Sequence, residues 1–300
     1  MTGLDELITE AGQTHVIPPR EDQSLLERLR DPRVLIRAKE LLHSENRDRR
    51  TEAILCIERI GYALRDQETA ELLLQHADST KDKYEVATAL DGLKNLDPPQ
   101  LLPPEPLLRL ARRPEWSVWQ SAIRCLHLAP ADRAEPALFE RLDADRYGLA
   151  DVAYELRYMR SKESIRALER LLSHASLDVR CVSLGSLGER LGVGVVPYAR
   201  RLAAGRRWEE KLAAEAWLGR FGDADDVPFM ADRLRRLVSG KRQIECHPPE
   251  VSDVVPFLLR HQGDSRARAA LDAIRRRPER LLQNEREWLE EQAPEVLTRN

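Results

Sequence analysis

The chain has 300 residues, of which 42% are hydrophobic, 33% charged and 5% aromatic, and its formal net charge is −3. This length can supply the core of one or two domains or of one elongated array, and the acidic balance excludes a chain that is basic throughout. Leu, Ala, Arg and Glu are abundant and favour helices, whereas the absence of long Val/Ile/Thr alternation and of Asn-Gly turns argues against a β-fold.

The chain begins with residues 1–22, for which we expect a capping helix and a proline-rich connector. This segment has no basic stretch followed by an apolar run, so we expect no signal peptide. No apolar run in the chain approaches the about 18 residues of a membrane span, so we expect no membrane partner. The cysteines, at positions 56, 125, 181 and 246, have no close spacing, which favours free thiols and a cytoplasmic location.

A repeating helix pattern follows over residues 23–240. Similar helices end at similar apolar residues, which we call anchors, and in most copies apolar and small residues three and four positions earlier complete one stripe. The anchors are spaced by 33, 33, 33, 28 and 31 residues, at Ile60, Leu93, Leu126, Met159, Leu187 and Leu218.

A second set of helices is predicted between the anchored ones. These helices cover residues 69–77, 105–113, 134–142, 164–172, 195–203 and 226–237. Proline lies early in several of them, which suits the first turn of a helix. Each unit of about 30 residues is therefore a helix pair, which buries its apolar face by stacking on its neighbours.

The sequence LDVRCVSLGSLGERLG at 177–192, followed by VVPYARRLA, resembles the HEAT repeat, in particular the HEAT-like repeats of phycobilisome lyases. The matching positions are Asp178, Val179, Arg180, Leu184, Leu187 and Gly188, then Leu212, Ala213, Trp217, Leu218, Gly219, Val227 and Pro228, with an imperfect earlier copy at 31–37. This resemblance implies an all-α fold, a right-handed α-solenoid of about seven stacked antiparallel helix pairs. It also implies that the helices carrying Val-Arg line a concave side.

We predict three segments: an N-terminal capping segment at 1–22, HEAT-like repeats at 23–240, and an insertion loop with C-terminal capping helices at 241–300. The last segment is expected to continue the same solenoid. The polar insertion contains Cys246 and His247, but two adjacent ligands fall short of the four that a zinc site usually needs, so we predict no metal. We assign no catalytic residue and no cofactor, because no phosphate loop or nucleophile motif is present.

Aromatic and arginine side chains lie beside the apolar stripe on the helices expected to line the concave side. Tyr, Trp and Arg are the residue types that most often anchor protein interfaces. We therefore predict a partner-binding site formed by Tyr154, Arg157, Tyr158 and Trp217, with Arg124 as a charged partner. The alternative is that Tyr158 and Trp217 fill gaps between repeats.

The leading hypothesis is a non-enzymatic protein-binding scaffold or adaptor that uses the concave surface, with an accessory or toxin-neutralising role. A second hypothesis is a DNA-binding enzyme similar to the HEAT-like glycosylases of alkylated bases, for which Tyr147, Asp151, Arg180 and Trp217 are the loosely matching residues. The negative net charge does not favour nucleic acid as a partner. A third hypothesis, from the lyase resemblance, is an accessory protein that attaches a bilin chromophore to a partner's cysteine.

Overall fold

A computed structural model describes residues 2–13, 23–96, 98, 100–144, 148–239 and 250–298. Within these ranges the regular structure is entirely helical, which confirms the predicted all-α class. None of the helices in the same ranges is long and apolar enough to cross a membrane. The connector at 14–22 and most of the predicted insertion, including Cys246 and His247, fall outside the described residues.

The α-helices follow one another with short connections. In chain order they are α1 (Thr2–Gln13), α2 (Gln23–Leu29), α3 (Pro32–Leu41), α4 (Arg47–Leu64), α5 (Gln67–Ser79), α6 (Lys83–Leu93), α7 (Pro104–Ala111), α8 (Trp116–Ile123), α9 (Ala131–Ala144), α10 (Leu149–Glu155), α11 (Lys162–Leu171), α12 (Leu177–Leu191), α13 (Val196–Ala203), α14 (Trp208–Phe221), α15 (Val227–Ser239), α16 (Val251–Arg260), α17 (Ser265–Arg276) and α18 (Gln283–Gln292).

The first of two compact units comprises residues 1–164 and consists of two helix layers. Helices α4, α6, α8 and α10 form one layer, in which each helix contacts the next, and α5, α7 and α9 form the other. Each odd-numbered helix from α3 to α9 also packs against the helix that follows it, and α1 packs against α3 and α4. This is the stacked helix-pair arrangement predicted from the repeat.

The second unit comprises residues 165–300 and repeats the same arrangement. Helices α12, α14 and α16 are successive neighbours, α13 packs against α14, and α15 packs against α16 and α17. The C-terminal α18 contacts α16. We call α4, α6, α8, α10, α12, α14 and α16 the signature helices, and their number in the described ranges agrees with the predicted count of units.

The residue that caps each signature helix gives the register of the repeat. The N-caps of α6, α8, α10, α12 and α14 are Asp82, Glu115, Gly148, Ser176 and Arg207, and each precedes its anchor by the same 11 positions. In α4 the N-cap is Asn46, so Ile57 is the residue in register and the predicted anchor Ile60 lies one helical turn later. Both isoleucines are buried, which is why the apolar pattern alone selected the wrong one.

Proline takes two kinds of position in the helices. In α7 and α13 it lies at the first or second helical residue, as predicted. In α9 and α16, however, Pro136 and Pro256 lie inside the helix. These helices begin a turn earlier than the proline suggests, so proline there does not mark the start.

Two arginines of the signature helices bridge successive repeats in the same way. Arg180 donates from Nη1 to the main-chain oxygens of His174 and Ala175 at 2.7 and 2.9 Å, and from Nε to Glu210 of the next signature helix at 2.6 Å. Arg50, at the same distance from its N-cap, donates to the Ser44 and Glu45 oxygens and to Glu85 at 2.7, 3.0 and 2.7 Å. Glu85 and Glu210 are both buried. The arginine of the Val-Arg motif therefore joins neighbouring repeats.

The imperfect motif copy at 31–37 lies in α3 and not in a signature helix. Asp31 caps α3, which is the helix before a signature helix, and its side chain binds Arg33 at the surface. The structural counterpart of Arg180 is Arg50, which the sequence comparison missed because Arg50 follows an arginine instead of a valine.

Candidate protein-binding site

Three of the predicted site residues form one cluster in the first unit, with Tyr154 in α10 and the other two, Arg157 and Tyr158, in the 3-10 turn Leu156–Tyr158 that follows it. The Arg157 guanidinium carbon lies 3.7 Å from the centre of the Tyr154 ring and 4.6 Å from the centre of the Tyr158 ring. Its Nη2 also donates hydrogen bonds to both phenol oxygens. We call Tyr154, Arg157 and Tyr158 the Tyr–Arg cluster. Their i, i+3, i+4 spacing brings them together on one helical turn.

The two tyrosines remain open to solvent although both are packed against Arg157. Tyr154 is 43% exposed and Tyr158 is 40% exposed. Their ring centres are 6.3 Å apart in an edge-to-face arrangement. The same side chains thus form an ordered aromatic surface that still has area to bury against a partner.

A histidine and a glutamate from the same unit support the cluster. The His127 ring stacks on the Tyr158 ring with 4.7 Å between centres, and its Nδ1 lies 3.1 Å from the Glu155 carboxylate. The main-chain N–H of His127 donates to the same carboxylate oxygen at 3.1 Å. Because Glu155 belongs to α10 and His127 follows α8, these contacts fix the cluster relative to the preceding repeat.

Burial has the largest effect on the pKa values of Tyr158 in the cluster and of Glu155 beneath it. Glu155 is fully buried, and burial raises the pKa of its carboxyl although the hydrogen bonds from His127 oppose that shift. Burial also raises the pKa of the Tyr158 phenol, against the hydrogen bond from Arg157. Within the described chain, Glu155 Oε1 and Arg157 Nε are buried atoms without a hydrogen-bond partner.

Arg124, the predicted charged partner, is held at the preceding signature helix. Its Nε donates to Asp151 Oδ1 at 2.7 Å, and Gln120 donates to the other carboxylate oxygen at 2.7 Å. One repeat earlier, Ser121 donates to Asp91 at 3.1 Å. Arg124 is thus part of a ladder of polar contacts between successive signature helices, and its charge is already compensated.

Trp217, the remaining predicted site residue, lies in the second unit and is half-buried. Its ring is stacked with Phe221 at 6.1 Å and covers Gly188, where a Cβ atom would meet Trp217 Cε2 at 2.2 Å. The same ring lines an open cavity of about 370 Å³ between α14 and α16, together with Gly219, Arg220, Asp253, Pro256 and Arg260. Trp217 therefore fills a gap between repeats and borders a cavity.

Sequence reasoning missed His127 and Glu155, the two residues that support the Tyr–Arg cluster. The contact of His127 with Tyr158 joins two repeats. Four further aromatic side chains on signature helices are more exposed than the predicted tyrosines: Tyr62, Tyr84, Trp116 and Trp208, at 44%, 57%, 57% and 61%. The last three lie in the first turn of their helices, away from the anchors.

The residues of the glycosylase hypothesis are engaged elsewhere or lie outside the described residues. Arg180 joins two repeats through Glu210, and Asp151 binds Arg124 and Gln120. Tyr147 falls in a gap between the described ranges. Across those ranges no group of three or more His, Cys, Asp or Glu side chains could hold a metal ion.

Comparisons with known proteins give the fold. Neither a protein-family model nor a curated protein matches the sequence. Similar solved structures include YibA of Escherichia coli, at 14% identity and a TM-score of 0.52, with 94% of this chain and 98% of that one covered. The complex of CpcE and CpcF of phycocyanin lyase from Nostoc sp. PCC7120 is 16% identical, with a TM-score of 0.48 and coverage of 80% and 93%.

A third similar structure is a designed armadillo repeat protein in complex with a (KR)4 peptide, at 16% identity and a TM-score of 0.36, with coverage of 73% and 92%. The similarity to YibA has a TM-score above 0.5, and at 14% identity it bears on the fold alone. Together with the stacked helix pairs, it identifies a HEAT-like repeat fold.

Proposed function

We propose that this protein is a non-enzymatic scaffold or adaptor that binds a protein partner through the Tyr–Arg cluster. The observation that carries the proposal is the pair of tyrosines, each about 40% exposed and each packed against Arg157. Tyrosine and arginine are among the residues that contribute most to interfaces. A repeat stack supports this role because it presents an extended surface on rigid helices.

The side chains of the Tyr–Arg cluster are already held in fixed positions, which lowers the entropy cost of binding a partner. Side chains that are fixed before association lose less conformational entropy when they meet a partner, by about 0.5 to 1.5 kcal/mol for each side chain. Arg157 is held by two hydrogen bonds and two ring contacts, and Tyr158 is held between Arg157 and His127. We therefore expect the cluster to bind as it stands, without rearrangement.

Trp217 is proposed as a separate contact in the second unit. Its ring is half-buried, so only its exposed part and the adjacent cavity are open to a ligand. We further propose a cytoplasmic location. The free thiols of Cys56, Cys125 and Cys181 are compatible with a reducing compartment.

The test is capture of partners from a lysate of the source cells on the immobilised intact chain, followed by mass spectrometry. The double variant Tyr154→Ala/Tyr158→Ala should lose at least one partner that the parent captures, with a loss of about tenfold or more for a hot-spot pair. Tyr62→Ala is the matched control, because Tyr62 is 44% exposed on α4 of the same unit and outside the cluster.

Two results would contradict the proposal. The first is a set of partners that the double variant captures as well as the parent does. The second is equal loss in the Tyr62→Ala control, which would mean that any exposed tyrosine of this unit matters. The proposed contact at Trp217 is tested by comparing partner capture by Trp217→Ala with capture by Trp208→Ala. Trp208 is the matched control because it is the more exposed tryptophan of α14.

A further inference from the structure

Most arginines on the surface of the first unit are paired with carboxylates. Examples are the ion pairs Arg109–Asp78, Arg112–Glu140, Arg113–Glu115, Arg124–Asp151 and Arg133–Glu105. Arg157 is different, because its hydrogen bonds go to two neutral phenols and its faces are covered by their rings. In the part of the chain that the structure describes, it forms no ion pair with a carboxylate.

Glu155, two positions before Arg157, attracts this charge but forms no ion pair with it. Glu155 is turned into the core, where it binds the His127 main chain and ring. Burial raises the pKa of its carboxyl and so favours the neutral form. Arg157 therefore keeps a positive charge beside two exposed tyrosines.

The two phenol O–H groups beside Arg157 are also available as hydrogen-bond donors. Each phenol oxygen accepts a hydrogen bond from Arg157 Nη2, so each phenol proton is free to be donated to another acceptor. Because both oxygens are bonded to the same nitrogen, they lie within about 6 Å of each other, given usual hydrogen-bond lengths. Two O–H groups and a guanidinium thus surround a small region that is rich in donors.

We propose that the Tyr–Arg cluster binds a carboxylate carried by an Asp or Glu side chain in an acidic segment of the protein partner. This rests on the proposed function, since it assigns the chemistry of the partner at the same site. A carboxylate supplies several acceptor lone pairs and one negative charge, which match the two phenol protons and the one uncompensated cation.

A nucleic acid fits this surface less well. Binding of a duplex depends on a row of basic side chains that neutralise several phosphates. Two neighbouring cations of this layer are already paired, since Arg124 binds Asp151 and Lys94 lies 3.9 Å from Asp91. Within the Tyr–Arg cluster itself, one guanidinium with two hydroxyl donors suits a single acidic group.

The experiment is selection of a random dodecapeptide phage library on the intact chain, with each selected peptide retested against variants. Peptides selected by the parent should share an Asp or Glu at one position. Synthetic copies in which that residue is Gln or Asn should bind about 10 to 100 times more weakly, the range expected for hydrogen bonds to a charged group. Arg157→Gln should weaken the acidic peptides by a similar factor.

Two variants separate hydrogen bonding from packing and from net charge. Tyr154→Phe/Tyr158→Phe keeps both rings and removes both hydroxyls, so it should weaken acidic peptides more than their Gln or Asn copies, whose neutral amide oxygens accept weaker hydrogen bonds. Arg160→Gln removes one exposed charge near the cluster and should change binding less than twofold. Circular dichroism of each variant verifies the fold.

The outcomes separate this inference from the proposed function. Peptides that need the cluster but carry no shared acidic residue would overturn the carboxylate assignment and leave the scaffold role intact. Peptides that are indifferent to every cluster variant, or a selection that yields none, would count against both. A duplex oligonucleotide that binds more tightly than the peptides and depends on Arg157 would also overturn the assignment.

Discussion

Two glycines on one signature helix should respond in opposite ways to the same substitution. Gly185 and Gly188 both lie in α12. A Cβ atom at Gly185 would have no heavy atom within 4 Å, whereas at Gly188 it would meet Trp217 ring atoms at 2.2, 2.3 and 2.5 Å. Gly185→Ala tests helix propensity alone, and Gly188→Ala tests the close approach of α14 in addition.

The magnitudes follow from these distances. Replacing glycine by alanine within a helix stabilises it by about 0.5 to 1 kcal/mol. At Gly188 the rigid indole would have to move by more than about 1 Å to reach the normal carbon–carbon separation, and such overpacking costs about 1 to 3 kcal/mol. We expect Gly185→Ala to be stabilising and Gly188→Ala to be net destabilising, with a difference of about 1 to 3 kcal/mol in the free energy of unfolding.

Urea unfolding, followed by circular dichroism and tryptophan fluorescence, measures these differences. In a Trp217→Ala background the obstacle is gone, so Gly188→Ala should become neutral or stabilising, and the double-mutant cycle should give a coupling of at least about 1 kcal/mol. If Gly188→Ala is as stable as Gly185→Ala in the parent background, the tryptophan does not occupy the space over Gly188 and this reasoning is refuted.

Three further predictions concern buried polar groups. Arg180→Ala should lower the free energy of unfolding by about 3 kcal/mol, because it leaves buried Glu210 and two main-chain oxygens unpaired; urea unfolding measures this. Burial raises the pKa of Glu215 to about 7, so the folded state keeps a proton that the unfolded state loses between pH 4.5 and 7. Stability should therefore fall by about 3 kcal/mol as pH rises through that window, and Glu215→Gln should remove this part of the pH dependence. Finally, burial raises the pKa of the Cys56 thiol to about 12 and that of Cys125 well above its usual value, so neither should react with iodoacetamide at pH 8 in the folded protein, as mass spectrometry can verify.

Each of these has a control within the chain. Arg201 is exposed, so Arg201→Ala should change stability by less than about 0.5 kcal/mol, and an equal loss in both variants would contradict the bridging role of Arg180. Identical pH profiles of the parent and Glu215→Gln would mean that Arg233, which binds both Glu215 and Glu250, outweighs burial. Alkylation of Cys125 as fast as that of half-exposed Cys181 would show that the first unit opens readily.

Local spacing accounts for what the sequence predicted correctly. Apolar residues at i, i+3 and i+4 place one stripe on a helix, and the same spacing in Tyr154, Arg157 and Tyr158 makes a cluster on one turn. The sequence could not give the contacts between repeats. His127 meets Glu155 from 28 positions away, and Arg180 meets Glu210 from 30 positions away. Neither residue type nor period specifies which side chains meet across that distance.

The half-buried state of Trp217 shows the same limit. Exposure of an aromatic residue beside the stripe depends on the size of the side chain that faces it in the preceding repeat. Gly188 leaves room for the indole, so Trp217 packs inward, whereas Tyr154 packs against Arg157 on its own helix and remains exposed. The sequence left both outcomes open, and the neighbour across the repeat decides between them.

The aligned signature helices differ at positions that the repeat leaves free to vary. Nine residues after the N-cap, the first unit has Asp91 in α6 and Arg124 and Arg157 just after the ends of α8 and α10. At the same position the second unit has Gly185 and Ala216. Asp91 and Arg124 are bound within the ladder, whereas Arg157 contacts the neutral phenols of Tyr154 and Tyr158. The anchors are buried and pack the repeats together, so a HEAT-like motif identifies the fold. The residues at the variable positions beside the anchors differ between repeats, and it is these residues that determine what the surface can bind.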